Sequence, residues 1–245
     1  MTDFEITHDE FLGGRIKLYQ PSKGYRISSD SVFLAACLTV KKGEKILDVG
    51  AGNGAILSCL LARIKVDATY HGIEIQNDLI ELARKNNSQN IEYYQGDVFS
   101  DVKECEPNSY HQVVSNPPYY DKGTVTNSPY ETKAMAFGKS MDDLKLWIER
   151  LVRLTRPKGF VTVVHRADRL NDIISVLSQK CGSIIIHPFF PKQGKDANRV
   201  IIRAQKDTKG LLTLKSGLIV HKSDGTYSEA AENILRHADH LNITK

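Results

Sequence analysis

Three residues in the run SNPPYY (115–120) have the functional groups to hold an amino group for substitution. Asn116 offers a side-chain carbonyl, and Pro117 follows with a main-chain carbonyl and no N–H of its own to compete for a bond. Two consecutive prolines exclude helix and stop a strand, so these acceptors sit on a stiff loop and are preorganised. Tyr119 can stack on a planar ring. An amine conjugated to a ring or carbonyl is a poor nucleophile because its lone pair is delocalised. Accepting its N–H bonds draws the nitrogen toward tetrahedral geometry.

A second group of residues lies upstream. LDVGAGNGA (47–55) follows a strand-like run and opens a helical one, with Gly50, Gly52 and Gly54 allowing a tight turn and close backbone approach. Asp48 stands two residues before the first glycine. Glu74 ends the next strand-like run, 26 residues after Asp48, where a carboxylate can take two ribose hydroxyls. Ile75 follows it. Asp97 and Val98, in GDV (96–98), end the run after that, with Asp97 placed to bond an adenine amine. The ligand this pattern suits is a dinucleotide or S-adenosylmethionine. The glycine spacing lacks the pyrophosphate pattern G-x-G-x-x-G, and Asp48 is a poor neighbour for a pyrophosphate but suits a cationic amino-acid group. These cues favour S-adenosylmethionine over a nicotinamide cofactor. Methyl transfer from a sulfonium needs no metal, strong base or nucleophilic cysteine, and proximity supplies much of the rate.

Such residues need a frame that brings successive strand ends together. Strand-like runs at 45–50, 69–75, 91–97, 111–116, 159–165, 183–189 and 199–206 are separated by helix-length segments at 54–64, 77–87, 141–155 and 168–180. Asn77 is the expected N-cap of the second of these helices. The alternation predicts a Rossmann-like α/β fold: a seven-stranded, mostly parallel sheet with helices on both faces. The last two strands have no helix between them, so they are expected to pair antiparallel at the end of the sheet, the last strand being the antiparallel one. The reading is a single domain over 1–245: an N-terminal hairpin and helix (1–44), the core (45–206) and a C-terminal extension (207–245). In the hairpin segment, Asp30 reads as the N-cap of SVFLAACL. Residues 120–140 lack periodicity and read as a loop of lid type beside the motif at 116–119.

Composition is that of an ordinary globular chain, 245 residues with 41% hydrophobic and 25% charged, so a sizeable core is expected. No apolar run reaches a membrane span, and the acidic N-terminus has no apolar signal core, so a cytoplasmic protein without membrane contact is expected. Cys37, Cys59, Cys105 and Cys181 are widely spaced, and the eight histidines show no ligand spacing, so no metal is expected. The net charge of +4 hides an asymmetry: residues 150–209 carry 13 Lys/Arg against 4 Asp/Glu, whereas 1–149 carry 16 against 21. The basic stretch includes Lys192, Lys195, Arg199 and Arg203. Arg199 and Arg203 lie four apart on a strand and so face one side. This stretch is read as a phosphate-contacting RNA surface rather than a charge-guarded edge strand. Trp147, in an amphipathic helix, reads as core.

The segments ILDVGAGNGA, GIEI, GDV and VVSNPPYY resemble the NPPY-type amino-methyltransferases. GGRIKLYQPSKGYRISSDSVFLAA, HPFFPKQGKDANRVIIRAQK and GLIVHKSDGTYSEAAENILR narrow the resemblance, which spans about residues 8–237, to the bacterial tRNA (adenine-N6)-methyltransferases that modify the adenine next to the anticodon of valine tRNA. The resemblance implies an S-adenosylmethionine cofactor, a tRNA partner and methylation of an exocyclic N6 amine. It also places Arg26, Ser28 and Asp30 over the cofactor. Asn53 departs from what related sequences often have after Gly52, and no consequence is expected. Three alternatives remain open: an N6-adenine methyltransferase of rRNA, a protein-glutamine N5-methyltransferase of release factors, and a non-catalytic RNA-binding module. The glutamine enzymes usually carry a helical domain ahead of the glycine loop, whereas 47 residues precede Asp48 here.

Overall fold

The computed structural model describes residues 5–24, 26–87, 91–119 and 141–244, with only the backbone for 141 and 142. A hairpin of β1 (Ile6–Phe11) and β2 (Ile16–Pro21) leads into helix α1 (Ser29–Ala36). Then come β3 (Lys45–Val49), α2 (Ala55–Arg63), β4 (Thr69–Glu74), α3 (Asn77–Asn86), β5 (Ile91–Gln95) and β6 (Tyr110–Ser115). The second half contains α4 (Met141–Leu154), β7 (Thr155–Arg166), α5 (Leu170–Lys180), β8 (Cys181–Phe190) and β9 (Arg199–Lys206). The C-terminal extension adds β10 (Thr213–Leu214), β11 (Leu218–Ile219) and α6 (Glu229–His237).

The main sheet runs β10-β8-β9-β7-β6-β3-β4-β5, with β11 also pairing β8. It is parallel except around β9, which is antiparallel to both β7 and β8. This matches the expected class, a mostly parallel sheet with an antiparallel last long strand. The last two long strands, β8 and β9, pair antiparallel at one end of the sheet, as expected. β9 folds back from β8 and inserts between β8 and β7, so it is internal rather than terminal. The described sheet has nine strands rather than seven, because two-residue segments of the extension pair in parallel with β8 and cover that edge. Such short segments carry no periodicity to read. β7 also begins at Thr155 and not at 159, since Thr155 pairs with Tyr110 across an irregularity in the β6–β7 register.

Strands buried on both faces read as apolar runs because helices cover both sides. Ile46, Leu47, Asp48 and Val49 of β3 are all buried. In α3, Leu79, Ile80, Leu82 and Ala83 form the buried stripe, and its N-cap is Gln76, one residue before the expected Asn77. Both ends of the chain join the core. Leu12 of the hairpin connection and Leu218, Ile234, Leu241 and Ile243 of the extension fall in one apolar cluster with α1 and α2. The Arg15 guanidinium donates to the Arg236 carbonyl at 2.7 Å.

β3 has β4 on one side and β6 on the other. The chain therefore reverses its winding direction between β3 and β6, and the carboxyl edge at such a point forms a crevice.

Candidate functional site

The glycine loop leaves β3 at Gly50. The Gly50 and Ala51 amides both donate to the Ile73 carbonyl at 2.9 Å, folding the loop against β4. Gly50 (φ +73°) and Gly54 (φ +80°) are left-handed; a Cβ would crowd Trp147 at 3.1 Å at the first and clash with the Tyr93 hydroxyl at the second. The Glu74 carboxylate braces the turn. Its Oε2 accepts from the Gly52 amide at 2.9 Å, and its Oε1 accepts from Ile75 and Gln76 at 2.9 and 3.0 Å. Burial raises the Glu74 pKa in spite of these bonds.

Asp48 is fully buried behind this loop, and neither carboxylate oxygen has a hydrogen-bond partner among the described residues. Burial, and secondarily the nearby Glu74 charge, push its pKa up to about 8. An unpaired buried carboxyl is costly, and a protein retains one where something else will complete it.

A cavity of about 390 Å³ opens at the carboxyl edge of β3, β4, β5 and β6. Of the residues picked from sequence, Arg26, Ser28, Gly50, Glu74, Ile75, Asp97, Val98, Asn116, Pro117 and Tyr119 line it. Asp48, Gly52, Gly54 and Asp30 do not. The first three lie one layer behind the wall. Gln76, Leu79, Phe99 and Trp147 line it too, and sequence reasoning missed them as site residues. Their available signal was position, one to five residues after an acidic strand end, except for Trp147, which comes from α4. Trp147 was expected in the core. Its ring meets Phe99 edge-on at 5.8 Å, and its Nε1 donates to Ser115 Oγ at 3.0 Å. Asp97 Oδ1 accepts from the Phe99 amide at 2.9 Å, which turns the chain back over the cavity.

These residues suit S-adenosylmethionine. Ile75, Leu79, Val98 and Phe99 make an apolar slot of the kind an adenine ring fills, Glu74 and Asp97 supply acceptors at its rim, and the buried Asp48 carboxyl behind the wall has no partner among the described residues.

The loop after β6 brings the other component to the same cavity. Ser115 Oγ donates to the Val49 carbonyl at 2.7 Å, tying the start of SNPPYY to the end of β3. Asn116 Nδ2 donates to Ser31 Oγ at 3.2 Å, and Asn116 Oδ1 lies 2.6 Å from the Tyr119 hydroxyl. The same hydroxyl lies 3.0 Å from Asp30 Oδ2. The Tyr119 ring has Arg199 over it at 4.8 Å and His165 edge-on at 4.9 Å. Residues 120–140, read as a lid-type loop, lie outside the described residues.

Three expectations change here. Asp30 is not the cap of α1: the N-cap is Ser28, and Asp30 sits in the first turn with its carboxylate on Tyr119 and Arg199 instead of on the cavity wall. Arg26 lines the cavity mouth but is ion-paired with Asp9 at 3.0 Å and donates to the Pro21 carbonyl at 3.0 Å, so the hairpin positions it. Asn53, from which nothing was expected, is fully buried and donates to the Tyr19 carbonyl at 2.8 Å, stitching the glycine loop to that hairpin.

The basic stretch divides. Lys195 is exposed, and Lys192 donates to the Ser223 carbonyl at 3.0 Å near the surface. Arg203 is buried, 5% exposed, stacked 4.1 Å over Phe160 with its Nη1 toward Gln112 and Thr162, so it does not face a polyanion. Arg199 is committed to Asp30 at 2.9 Å. The strand does put both arginines on one side, but neighbouring residues cover that side at Arg203 and leave it open only toward the strand's start.

Among the described residues no group of three or more His, Cys, Asp or Glu is arranged to hold a metal ion, and no helix is long and apolar enough to cross a membrane. The four cysteines are free and buried, and burial pushes the Cys37 thiol up to about 12.

A family model, the methyltransferase small domain, matches residues 24–136. The tRNA1(Val) (adenine(37)-N6)-methyltransferase of Aeromonas hydrophila is 28% identical over 211 residues, covering 83% of this chain and 86% of that protein. The uncharacterized protein YbxB of Bacillus subtilis is 30% identical over 145 residues, 58% of this chain and 67% of that one. Among solved structures, a predicted O-methyltransferase from Agrobacterium tumefaciens superposes with a TM-score of 0.71 at 21% identity, covering 88% of this chain and 100% of that chain. The family match spans the segment between the hairpin and α1, the glycine loop and the Asn116 loop, the segments that meet at the cavity. The chain belongs to the methyltransferase small-domain family and is a class I S-adenosylmethionine-dependent methyltransferase.

Proposed function

We propose that the protein methylates the exocyclic N6 amine of an adenine in tRNA, the adenine next to the anticodon of valine tRNA. One observation supports this reading most: Asn116 and Pro117 border the same cavity as Glu74 and Asp97. The amine acceptors and the nucleoside acceptors therefore face one space. S-adenosylmethionine, when bound, supplies an electrophilic methyl group on a sulfonium. Glu74 would take its ribose hydroxyls and Asp97 its adenine amine, and Asp48, behind the glycine loop, would complement its ammonium. Asn116 Oδ1 and the Pro117 carbonyl accept the substrate amine's N–H bonds and orient its lone pair. Tyr119 and the other aromatic side chains at the mouth receive a base splayed out of a single-stranded loop. The relatives named for tRNA1(Val) carry the choice of RNA over protein, and the exposed Lys195 with the half-buried Lys192 provides phosphate contacts without reading sequence. From a tRNA substrate we infer a cytoplasmic location.

The test is transfer of label from S-adenosylmethionine to total tRNA lacking the modification or to a release factor, followed by mapping of the modified nucleotide. Label at N6 of the anticodon-adjacent adenine supports the reading. Label only in the release factor assigns the amine to glutamine and overturns it.

A further inference from the structure

The Tyr119 hydroxyl stands between two acceptors, 2.6 Å from Asn116 Oδ1 and 3.0 Å from Asp30 Oδ2. A phenol has one proton, so it bonds only one of them at a time. Burial, and then the Asp30 charge, raise the Tyr119 pKa far above its ordinary value, so the group remains a neutral donor. The other end of the Asn116 amide is engaged by Ser31. A Tyr119 proton on Asn116 Oδ1 uses the electron density that the substrate amine needs.

Asp30 offers that proton a better acceptor, because a bond to a carboxylate is stronger than one to an amide oxygen. Asp30 is held for the purpose. Its Oδ2 accepts from Arg199 Nε at 2.9 Å, Arg199 Nη1 donates to the Asn198 carbonyl at 3.1 Å, and the guanidinium lies over the Tyr119 ring. Asp30 also sits in the first turn of α1, where the helix dipole favours an anion.

We infer that Asp30, fixed by Arg199, is a positioning residue: it takes the Tyr119 hydrogen bond when the substrate amine arrives and so frees Asn116 Oδ1 to accept the amine. This rests on the reading of Asn116 as the amine acceptor. It also reassigns two residues, Asp30 from cofactor contact and Arg199 from RNA contact.

The test is a double-substitution cycle in the full chain: wild type, Asp30→Ala, Tyr119→Phe and the double variant, with Asp30→Asn as a fifth protein. Methyl transfer to tRNA, S-adenosylmethionine affinity and urea unfolding are measured for each. Asp30→Ala is expected to lower kcat about tenfold when Tyr119 is present and by less than about twofold in the Tyr119→Phe background, the non-additivity of residues acting as a unit. KM for tRNA and cofactor affinity stay within about twofold, and Asp30→Asn, whose amide oxygen accepts no better than that of Asn116, recovers little of kcat. Equal losses in both backgrounds, or a matching loss of cofactor affinity, overturn the inference. If the wild-type protein transfers nothing to tRNA, the proposed reaction fails but the unfolding data still decide this point. Coupling of about fivefold in the unfolding constant between Asp30 and Tyr119 supports the pairing, and strict additivity overturns it.

Discussion

Asp48 and Lys206 are both ionisable side chains sealed inside the protein, and they are treated in opposite ways. Lys206, at the end of β9, is 7% exposed, and its ammonium donates to Asn108 Oδ1 at 2.6 Å and to the Val152 and Thr155 carbonyls at 2.8 Å. It caps the C-terminal end of α4, where the helix leaves carbonyls unpaired and its dipole favours a cation. Asp48, at the carboxyl edge, has no partner for either oxygen among the described residues. A satisfied buried charge supports the fold, whereas an unsatisfied one lowers stability unless a ligand completes it. The carboxyl side around Asp48 thus leaves a group unsatisfied, whereas the end of β9 satisfies its own.

If that contrast holds, substitutions at the cleft should affect transfer and binding, and those around β9 should affect folding. The largest effect is expected for Asn116→Ala. Loss of a preorganised acceptor should lower kcat by about 10²–10³ while cofactor affinity changes little. Measuring both checks the division of roles, and a collapse of cofactor binding would break it.

Asp48→Asn comes next. It should weaken S-adenosylmethionine by roughly 30-fold or more in calorimetry, as expected when a desolvated charge loses its partner. The free protein should be no less stable than wild type. The pH dependence has a definite sign. The folded pKa of Asp48, about 8, is above its ordinary value of 3.8, so the native state binds the extra proton between those limits. The Asp48 contribution to stability is therefore complete below pH 3.8 and is lost as pH rises toward 8. Unfolding across this window should show that loss in wild type and a shallower one in Asp48→Asn. Cofactor affinity should rise with pH over the same window in wild type only.

Lys206→Met should do the reverse. It strands Asn108 Oδ1 and two carbonyls, at a cost of about 2–3 kcal/mol in urea unfolding, with kcat for the folded protein unchanged.

The smallest effect should come from the surface. Lys195→Ala is expected to weaken tRNA binding a few-fold and reduce the slope of log affinity against log salt by about 1. Arg203→Met should leave that slope unchanged, since its guanidinium is packed on Phe160. Equal slopes for all three proteins would return Lys195 to inert surface.

Much of the cleft could be read from the chain because it is assembled from strand ends. The positions of Gly50, Glu74, Asp97 and Asn116 follow from where four apolar runs stop, and parallel strands bring their carboxyl ends to one edge whatever their order. Misreadings fell where contacts cross the chain. The bonds from Asp30 to Tyr119 and Arg199 span 89 and 169 positions, and no local pattern links those residues. Arg199 and Arg203 share a strand face, as their spacing requires, yet Phe160, Gln112 and Thr162 cover one and not the other.

Periodicity and turn chemistry in the linear chain were therefore enough for the α/β class, the glycine loop and the position of the Asn116 loop at the cavity, because each depends on residues within a few positions of one another. Folding decided which charges are spent on the structure and which are left for a ligand. That choice depends on what comes to lie over each side chain. For Asp48 it is nothing that bonds it among the described residues, for Lys206 it is the end of a helix, and for Tyr119 it is an acid and an arginine drawn from opposite ends of the chain.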